Sequence, residues 1–389
     1  MGDYYYDYNS PSRGEKPSSA WGVIADVVMT ILSAMVVLVG ILTLLVPYIA
    51  PSRLGVLPIL ALTAQWVFVV AVVVMLYWIL RWRWLRATTM ILVVFVGLFY
   101  ADRYFKVELR RTYGEQRYER AALRIVSYNL RSFYSDDGSY HTVDSVANFI
   151  RKFNPDIACL QEYSIPSKYR KSYIDSLFSR YNVTVVDKSL GQSIPPLAIM
   201  SKHRILRSGA VMIDVEDSLP PRSRAMWADL LIGKDTVRVF NVHLNSTSIK
   251  VEDQDYITNY RYMSDTARNT KIFDMVRRLN ENTISRSLHV DTLASVLAAT
   301  PTAKILCGDF NDTPMSYAYH TLSRNMQDAF SECGRGLGYT FRGFFNTLRI
   351  DFALLSDRFE VLSYDAPDSV KWSDHLPVCV RAKLRETDR

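Results

Sequence analysis

The chain has 389 residues, 49% of them apolar and 22% charged, with a formal net charge of +7. That composition excludes a disordered or collagen-like chain and leaves room for membrane segments and a large folded domain. The charge points only weakly to nucleic acid: residues 1–120 hold 12 Lys/Arg against 8 Asp/Glu, and the rest only 34 against 31. Over half the excess therefore flanks apolar segments, where anionic headgroups would attract it.

Residues 1–20 form a Tyr-rich, weakly charged tail. Uncharged runs follow at 27–46, 56–80 and 87–101. The first two exceed what roughly 30 Å of hydrocarbon requires. The third suffices only with little tilt and with Trp84, Arg86, Tyr100 and Arg103 as end anchors. Three transmembrane helices are expected within 21–101. A cleaved signal peptide is the competing reading of the first run, but the leader is long, Pro47 and Pro51 stop the run, and no small-x-small site follows. The loop with Arg81, Arg83 and Arg86 is more basic than the one with Arg53, which places the former inside and everything after residue 101 outside. In a bacterium this is the periplasmic side of the inner membrane. The basic run Arg103, Lys106, Arg110 and Arg111 opposes that assignment.

A charged stalk is expected at 102–120, continuing the third helix, and a single domain at 121–389. Short apolar runs predict strands at 123–128, 157–160, 183–186, 198–201, 225–232, 236–243, 304–307, 349–355 and 378–383. Helices are expected at 142–152, 168–179, 264–279 and 287–300. This alternation implies a layered α/β domain, and the adjacent strands at 225–243 imply hairpins and hence mixed sheets. Cys159, Cys307 and Cys379 sit in strand-like runs and Cys333 in a loop. They read as buried small apolar residues, with neither a disulfide framework nor zinc-site spacing.

Six strands run into polar residues able to bind a metal and a phosphate. These are Asn129, Gln161-Glu162, His243 with Asn245, Asp309 with Asn311, Asp351 within an apolar strand, and Ser373-Asp374-His375-Leu376-Pro377 before the last strand. Each alone has an ordinary reading as a turn residue, cap or core histidine. Asp351 is hardest to dismiss, because a lone carboxylate in a buried strand is costly. The coincidence of all six is the signal.

The runs Ile-Val-Ser-Tyr-Asn129, Pro155-Asp-Ile-Ala-Cys-Leu-Gln-Glu162, Asn241-Val-His-Leu244, Gly308-Asp-Phe-Asn311, Arg349-Ile-Asp-Phe352 and Ser373-Asp-His-Leu-Pro377 resemble, in order, the blocks of the endonuclease/exonuclease/phosphatase superfamily of DNase I-like proteins. The resemblance covers about residues 123–385 and implies a four-layer α/β sandwich, two packed mixed sheets flanked by helices, here preceded by a transmembrane region. It also implies Mg2+, with Mn2+ as substitute, on Glu162, Asn129 and Asp374. Asp309 would orient or deprotonate the attacking water and Asn311 would hold a phosphate oxygen. His375, held by Asp351, and His243 would contact the phosphate or move protons. Which histidine is acid and which base stays open.

Arg131 stands where some nuclease members carry an acid, which suits an anionic headgroup. Asn245, Arg224 in Pro220-Pro-Arg-Ser-Arg224, and Arg342 in Gly338-Tyr-Thr-Phe-Arg-Gly343 are candidate substrate contacts. The long stretch 246–286 is either an extra surface helix or a lid facing the bilayer. The expected activity is phosphodiester or phosphoester hydrolysis of a phospholipid or sphingolipid headgroup. A nuclease is the alternative, and a catalytically silent membrane scaffold is the alternative of another class. No protein partner can be inferred.

Overall fold

The computed structural model describes residues 20–55, 57–107, 122–186, 196–213, 222–246, 265–343 and 346–386. The N-terminal tail before residue 20, residues 108–120 of the expected stalk, the stretch 247–264 and the side chains of Arg222 and Arg224 lie outside them.

Three helices come first: α1 (Ala20–Leu45), α2 (Leu57–Leu80) and α3 (Trp84–Ala101). All three are long and apolar enough to cross a membrane. They meet along a narrow seam of Val36, Ala71, Val74, Trp78, Ala87 and Met90, while Ile31, Leu38, Val73, Leu92 and Phe95 point outward. An apolar outer face is what a helix bundle in lipid presents. At one end Asp26 accepts hydrogen bonds from Arg81 at 2.9 and 3.0 Å and from the Tyr77 hydroxyl at 2.7 Å, tying α1 to α2.

The domain is a four-layer α/β sandwich. One six-stranded sheet has the order β13 (Phe359–Asp365), β14 (Val378–Leu384), β2 (Leu123–Asn129), β3 (Ile157–Gln161), β5 (Leu197–Ser201), β4 (Asn182–Val186). The other runs β10 (Gln327–Asp328), β12 (Asp351–Leu355), β9 (Ala303–Asp309), β8 (Asp235–His243), β7 (Arg222–Ile232), β6 (Arg204–Ile213). Both are mixed: β2–β3 and β8–β9 are parallel, the other pairs antiparallel. The inner faces share one core, with Ile125, Ile199, Met226, Val239, Ile305 and Phe359 among its members. Strands buried on both faces explain the continuous apolar runs in the sequence. Helices α4 (Val143–Phe153) and α5 (Lys171–Leu177) cover one outer face. Helices α6 (Asp265–Ala299) and α7 (Tyr317–Leu322) cover the other. The four cysteines are free, and Cys333 ends α8 (Ala329–Cys333) instead of lying in a loop.

Three expectations change. The two helices expected at 264–279 and 287–300 are one helix of 35 residues. The polar run between them is a docking stripe: Thr283 and Arg286 are buried against the bundle and the β9 loop. The helix α3 does not continue as a stalk, since it stops at Ala101 and β1 (Phe105–Lys106) pairs with β11 (Gly336–Leu337). The strands β6 and β13 were not expected, because Gly209 and several polar residues interrupt the former and a bulge the latter.

The domain sits directly on the bundle. Thr313 Oγ1 donates to the Ala61 carbonyl of α2 at 2.8 Å, and Arg103 Nη1 to the Pro314 carbonyl at 3.1 Å. Lys106 Nζ donates to the Ser331 carbonyl, and the Tyr48 ring meets His320 edge-on at 4.6 Å.

Candidate active site

Strand register places the functional side chains. His243 of β8 stands opposite Asp309 of β9, and Asp351 of β12 stands opposite Asp309 from the other side. Three polar groups thus form a row across three strands. In the facing sheet Asn129 pairs with Gln161, so Glu162 follows one residue beyond. The chain bends sharply here: Glu162 and Asn311 have left-handed φ of 51° and 52°, a conformation uncommon for Glu. Gly308 has φ of 147°, and a Cβ on it would lie 2.0 Å from the Val242 carbonyl oxygen, so no side chain fits between β9 and β8.

The two rows meet through Asn129, whose Nδ2 donates to Asp309 Oδ2 at 3.0 Å and to Glu162 Oε1 at 3.4 Å. His243 Nε2 lies 3.8 Å from Glu162 Oε1 and 3.7 Å from Asp309 Oδ2. His375 Nδ1 donates to Asp351 Oδ2 at 2.8 Å while its Nε2 faces Asp309 Oδ2 at 3.8 Å. Ser373 Oγ donates to the Asn129 carbonyl at 2.8 Å and accepts the His375 N–H at 3.2 Å. Asp374 stays partly exposed, 3.5 Å from Arg131 Nε.

Burial raises the Glu162 carboxyl above its ordinary value, with His375 opposing and Asp374 adding to the rise. Burial pushes Asp309 up to about 6, Asp351 adding while His375 and His243 oppose. Burial alone would lower the His375 ring, but Asp351 and Asp309 outweigh it and hold the ring well above its usual range. Those two carboxylates favour the protonated ring, which carries an N–H on both nitrogens. Among the described residues, ligand atoms of Asp309, Asp351 and His375 lie within 4.8 Å of one another, a buried acid/His cluster of the kind that holds a metal ion.

The structure thus brings Asn129, Glu162, His243, Asp309, Asp351 and His375 together, with Asp374 at the rim. Asn311 is present, but its Nδ2 donates to Asp309 Oδ2 at 3.0 Å and to the Leu244 carbonyl at 3.1 Å. One amide proton braces Asp309 and the other is taken by the Leu244 carbonyl, which leaves neither for a phosphate. Asn245 is buried and donates to Ser285 Oγ of α6 at 2.7 Å. The Arg342 guanidinium is engaged by Asp368 Oδ1 at 2.7 Å and by the carbonyls of Asp368 and Val370. The Arg224 side chain lies outside the described residues.

Sequence reasoning assigned no role to several supporting residues. Thr340 Oγ1 accepts the backbone N–H of Ile350 and Asp351, each at 3.0 Å, and fixes the end of β12. Gln161 Nε2 donates to Asn241 Oδ1 at 2.7 Å, and Asn241 Nδ2 donates to the carbonyls of Leu160 and Ala198. This polar clasp joins the two sheets beneath the site. Phe341 lies against the His375 ring at 5.0 Å. The signal for the clasp was two amides inside otherwise apolar strands, which are costly unless paired.

Residues 126–375 match the sequence profile described as Endonuclease/Exonuclease/phosphatase family, and residues 26–104 match a domain of unknown function. No curated protein matches. Solved structures that match include an endonuclease/exonuclease/phosphatase from Bacteroides vulgatus, at 20% identity and TM-score 0.45, over 68% of this chain and 99% of that one. A mannosyl-6-phosphatase of Bacteroides thetaiotaomicron matches at 18% and 0.46, over 67% and 99%. A humanized D. rerio TDP2 matches at 15% and 0.45, over 67% and 99%. The profile alone spans well over half the chain. The protein belongs to the endonuclease/exonuclease/phosphatase family and carries its hydrolase fold.

Proposed function

We propose that the protein is a membrane-anchored phosphoester hydrolase, dependent on a divalent cation such as Mg2+, acting on a phospholipid or sphingolipid headgroup. The observation that carries this reading is depth. Thr313, two residues past Asn311, is bonded to Ala61, in the second turn of a helix that begins at Leu57. Four residues at 1.5 Å each put that contact about 6 Å inside the apolar span, within the reach of a headgroup layer. This closeness of the site to one end of the apolar helices supports a lipid phosphate as the target. Arg81, Arg83 and Arg86 sit at the other end of the bundle, which supports the outer face of the membrane, the periplasmic side in a bacterium.

The donor set fits a hard cation. Glu162 and Asp309 are carboxylates whose ionised forms burial disfavours, and the amide of Asn129 lies between them. Oxygen ligands of this kind suit Mg2+. A protonated His375 offers no lone pair, so we assign Glu162, with Asn129 and Asp374, as the holders. A bound cation would neutralise phosphate charge and lower the cost of the leaving oxygen. Asp309, fixed by Asn129 and Asn311, accepts the proton of the attacking water. The His375 imidazolium, oriented by Asp351, faces a phosphate oxygen with Nε2–H. His243, whose Nε2 faces Glu162 and Asp309, is the candidate to protonate the leaving oxygen.

The test is turnover by purified full-length protein with Mg2+ on phosphatidylcholine and sphingomyelin vesicles, single-stranded DNA and RNA, and a soluble phosphomonoester. Lipid hydrolysis that EDTA abolishes and that Glu162→Ala and His375→Ala each reduce by about 10²-fold or more is the expected result. No wild-type turnover, or undiminished turnover in both variants, overturns the hydrolase. A preference for nucleic acid overturns only the lipid assignment. Protease accessibility of the domain in intact cells checks its side of the membrane.

A further inference from the structure

The loop after β9 leaves the active site and enters the bundle within three residues. Asp309 and Asn311 belong to the site. Asp312 Oδ2 accepts from Arg286 Nη1 at 2.6 Å, and both side chains are buried. Arg286 Nε donates to the Asn245 carbonyl at 2.9 Å, so one guanidinium clamps the loops after β8 and β9 together. The next residue, Thr313, is buried and bonded to the Ala61 carbonyl, and Arg103 holds the Pro314 carbonyl.

A tether needs only a covalent link, and its polar contacts are solvated and dispensable. Here the bond to α2 is buried and falls two residues after Asn311. A buried donor that loses its acceptor is costly, so the loop cannot shift off α2 without penalty. Asn311 in turn braces Asp309 through Nδ2 at 3.0 Å and through its backbone N–H at 2.8 Å.

We propose that Thr313 and Arg286 are positioning residues through which helix α2 fixes Asn311 and Asp309, so that the transmembrane bundle is part of the scaffold of the active site. This rests on the hydrolase reading above, although the coupling itself can be read without turnover. Displacement of a reacting group by an ångström costs up to about a hundredfold in rate.

The experiment compares full-length wild type, Thr313→Val and Thr313→Ser in detergent, using bis(p-nitrophenyl) phosphate and Mg2+ so that access to lipid is not a variable. Hydrogen exchange of the amides of residues 309–316 is measured in parallel. The expected result is that Thr313→Val lowers kcat roughly tenfold or more, with KM and melting temperature nearly unchanged, and speeds exchange of the loop. Thr313→Ser, which keeps the hydroxyl, restores both. Wild-type kcat and exchange in Thr313→Val overturn the proposal, as does equal loss in Thr313→Ser. If Thr313→Val does not fold, Thr313→Ala, which adds no bulk, is read the same way. A silent wild type sinks the hydrolase reading only. The exchange contrast between the Val and Ser variants then decides the coupling alone.

Discussion

Asp309 is touched by more of the site than any other side chain described, and its acidity is the handle on the chemistry. Its carboxyl is pushed up to about 6. While protonated it cannot take a proton from water, so turnover should climb with pH in a kcat profile of the wild type, with a midpoint at or below about 6 because a bound cation favours the ionised form. The stability linkage has the opposite sign. A carboxyl raised by folding favours the folded state in acid and loses that contribution as pH rises from its ordinary value of 3.8 towards 6. A cation that favours the ionised form reverses the loss. The gain in melting temperature on adding Mg2+ should therefore be larger at pH 7.5 than at pH 5, and equal gains would contradict the assignment of Asp309 to the metal-phosphate cluster. Asp351→Asn removes the charge that raises His375, and kcat should fall by about 10² or more with the fold kept by circular dichroism. The partners of these side chains were hidden in the sequence. Asn311, read as a phosphate ligand, spends its amide on Asp309 and Leu244, and Arg342 on Asp368. Residue type at a strand end announces chemistry, but it does not say which hydrogen bonds the neighbours have already taken.

At the scale of elements, register does most of the assembly. His243, Asp309 and Asp351 share a row only because β8, β9 and β12 are aligned to the residue, and a slip of one would turn a side chain to the opposite face. Gly308 guards that alignment, since any Cβ would strike the Val242 carbonyl. Gly308→Ala should destabilise the domain by roughly 2–3 kcal/mol, from overpacking and an unfavourable φ, visible as a fall in the denaturant midpoint. The strand ends were legible because buried apolar runs stopping at an acid, amide or imidazole are rare without purpose. The strand β6 was not, because its outer position tolerates Arg204, Arg207 and Gly209. The helix α6 looked like two because Asn280, Thr283 and Arg286 face the bundle, a partner that periodicity within one segment does not reveal.

For the whole molecule, bundle and domain meet through polar bonds, that of Thr313 to Ala61 buried, and through a two-strand hem, β1 with β11. The hem continues into the run from Gly338, whose N–H donates to the Tyr104 carbonyl, and on to Thr340 and Phe341 beside Asp351 and His375. Arg349, fully buried, donates to Asp328 at 2.8 and 3.1 Å just behind this surface. Arg349→Met leaves a buried carboxylate unpaired and should cost about 3–5 kcal/mol, read as early unfolding of the domain in a thermal scan.

The pairing of β2 with β14 has a consequence in time. In its sheet β2 lies between a strand that follows it closely and one made at the end of the domain, and His375 stands three residues before that last strand. During synthesis the helices α1–α3 can be inserted long before β2 acquires this neighbour. Until β14 emerges, β2 and β13 keep open edges able to recruit foreign strands. Hydrolytic competence should therefore arrive in a single late step, as the sheet closes.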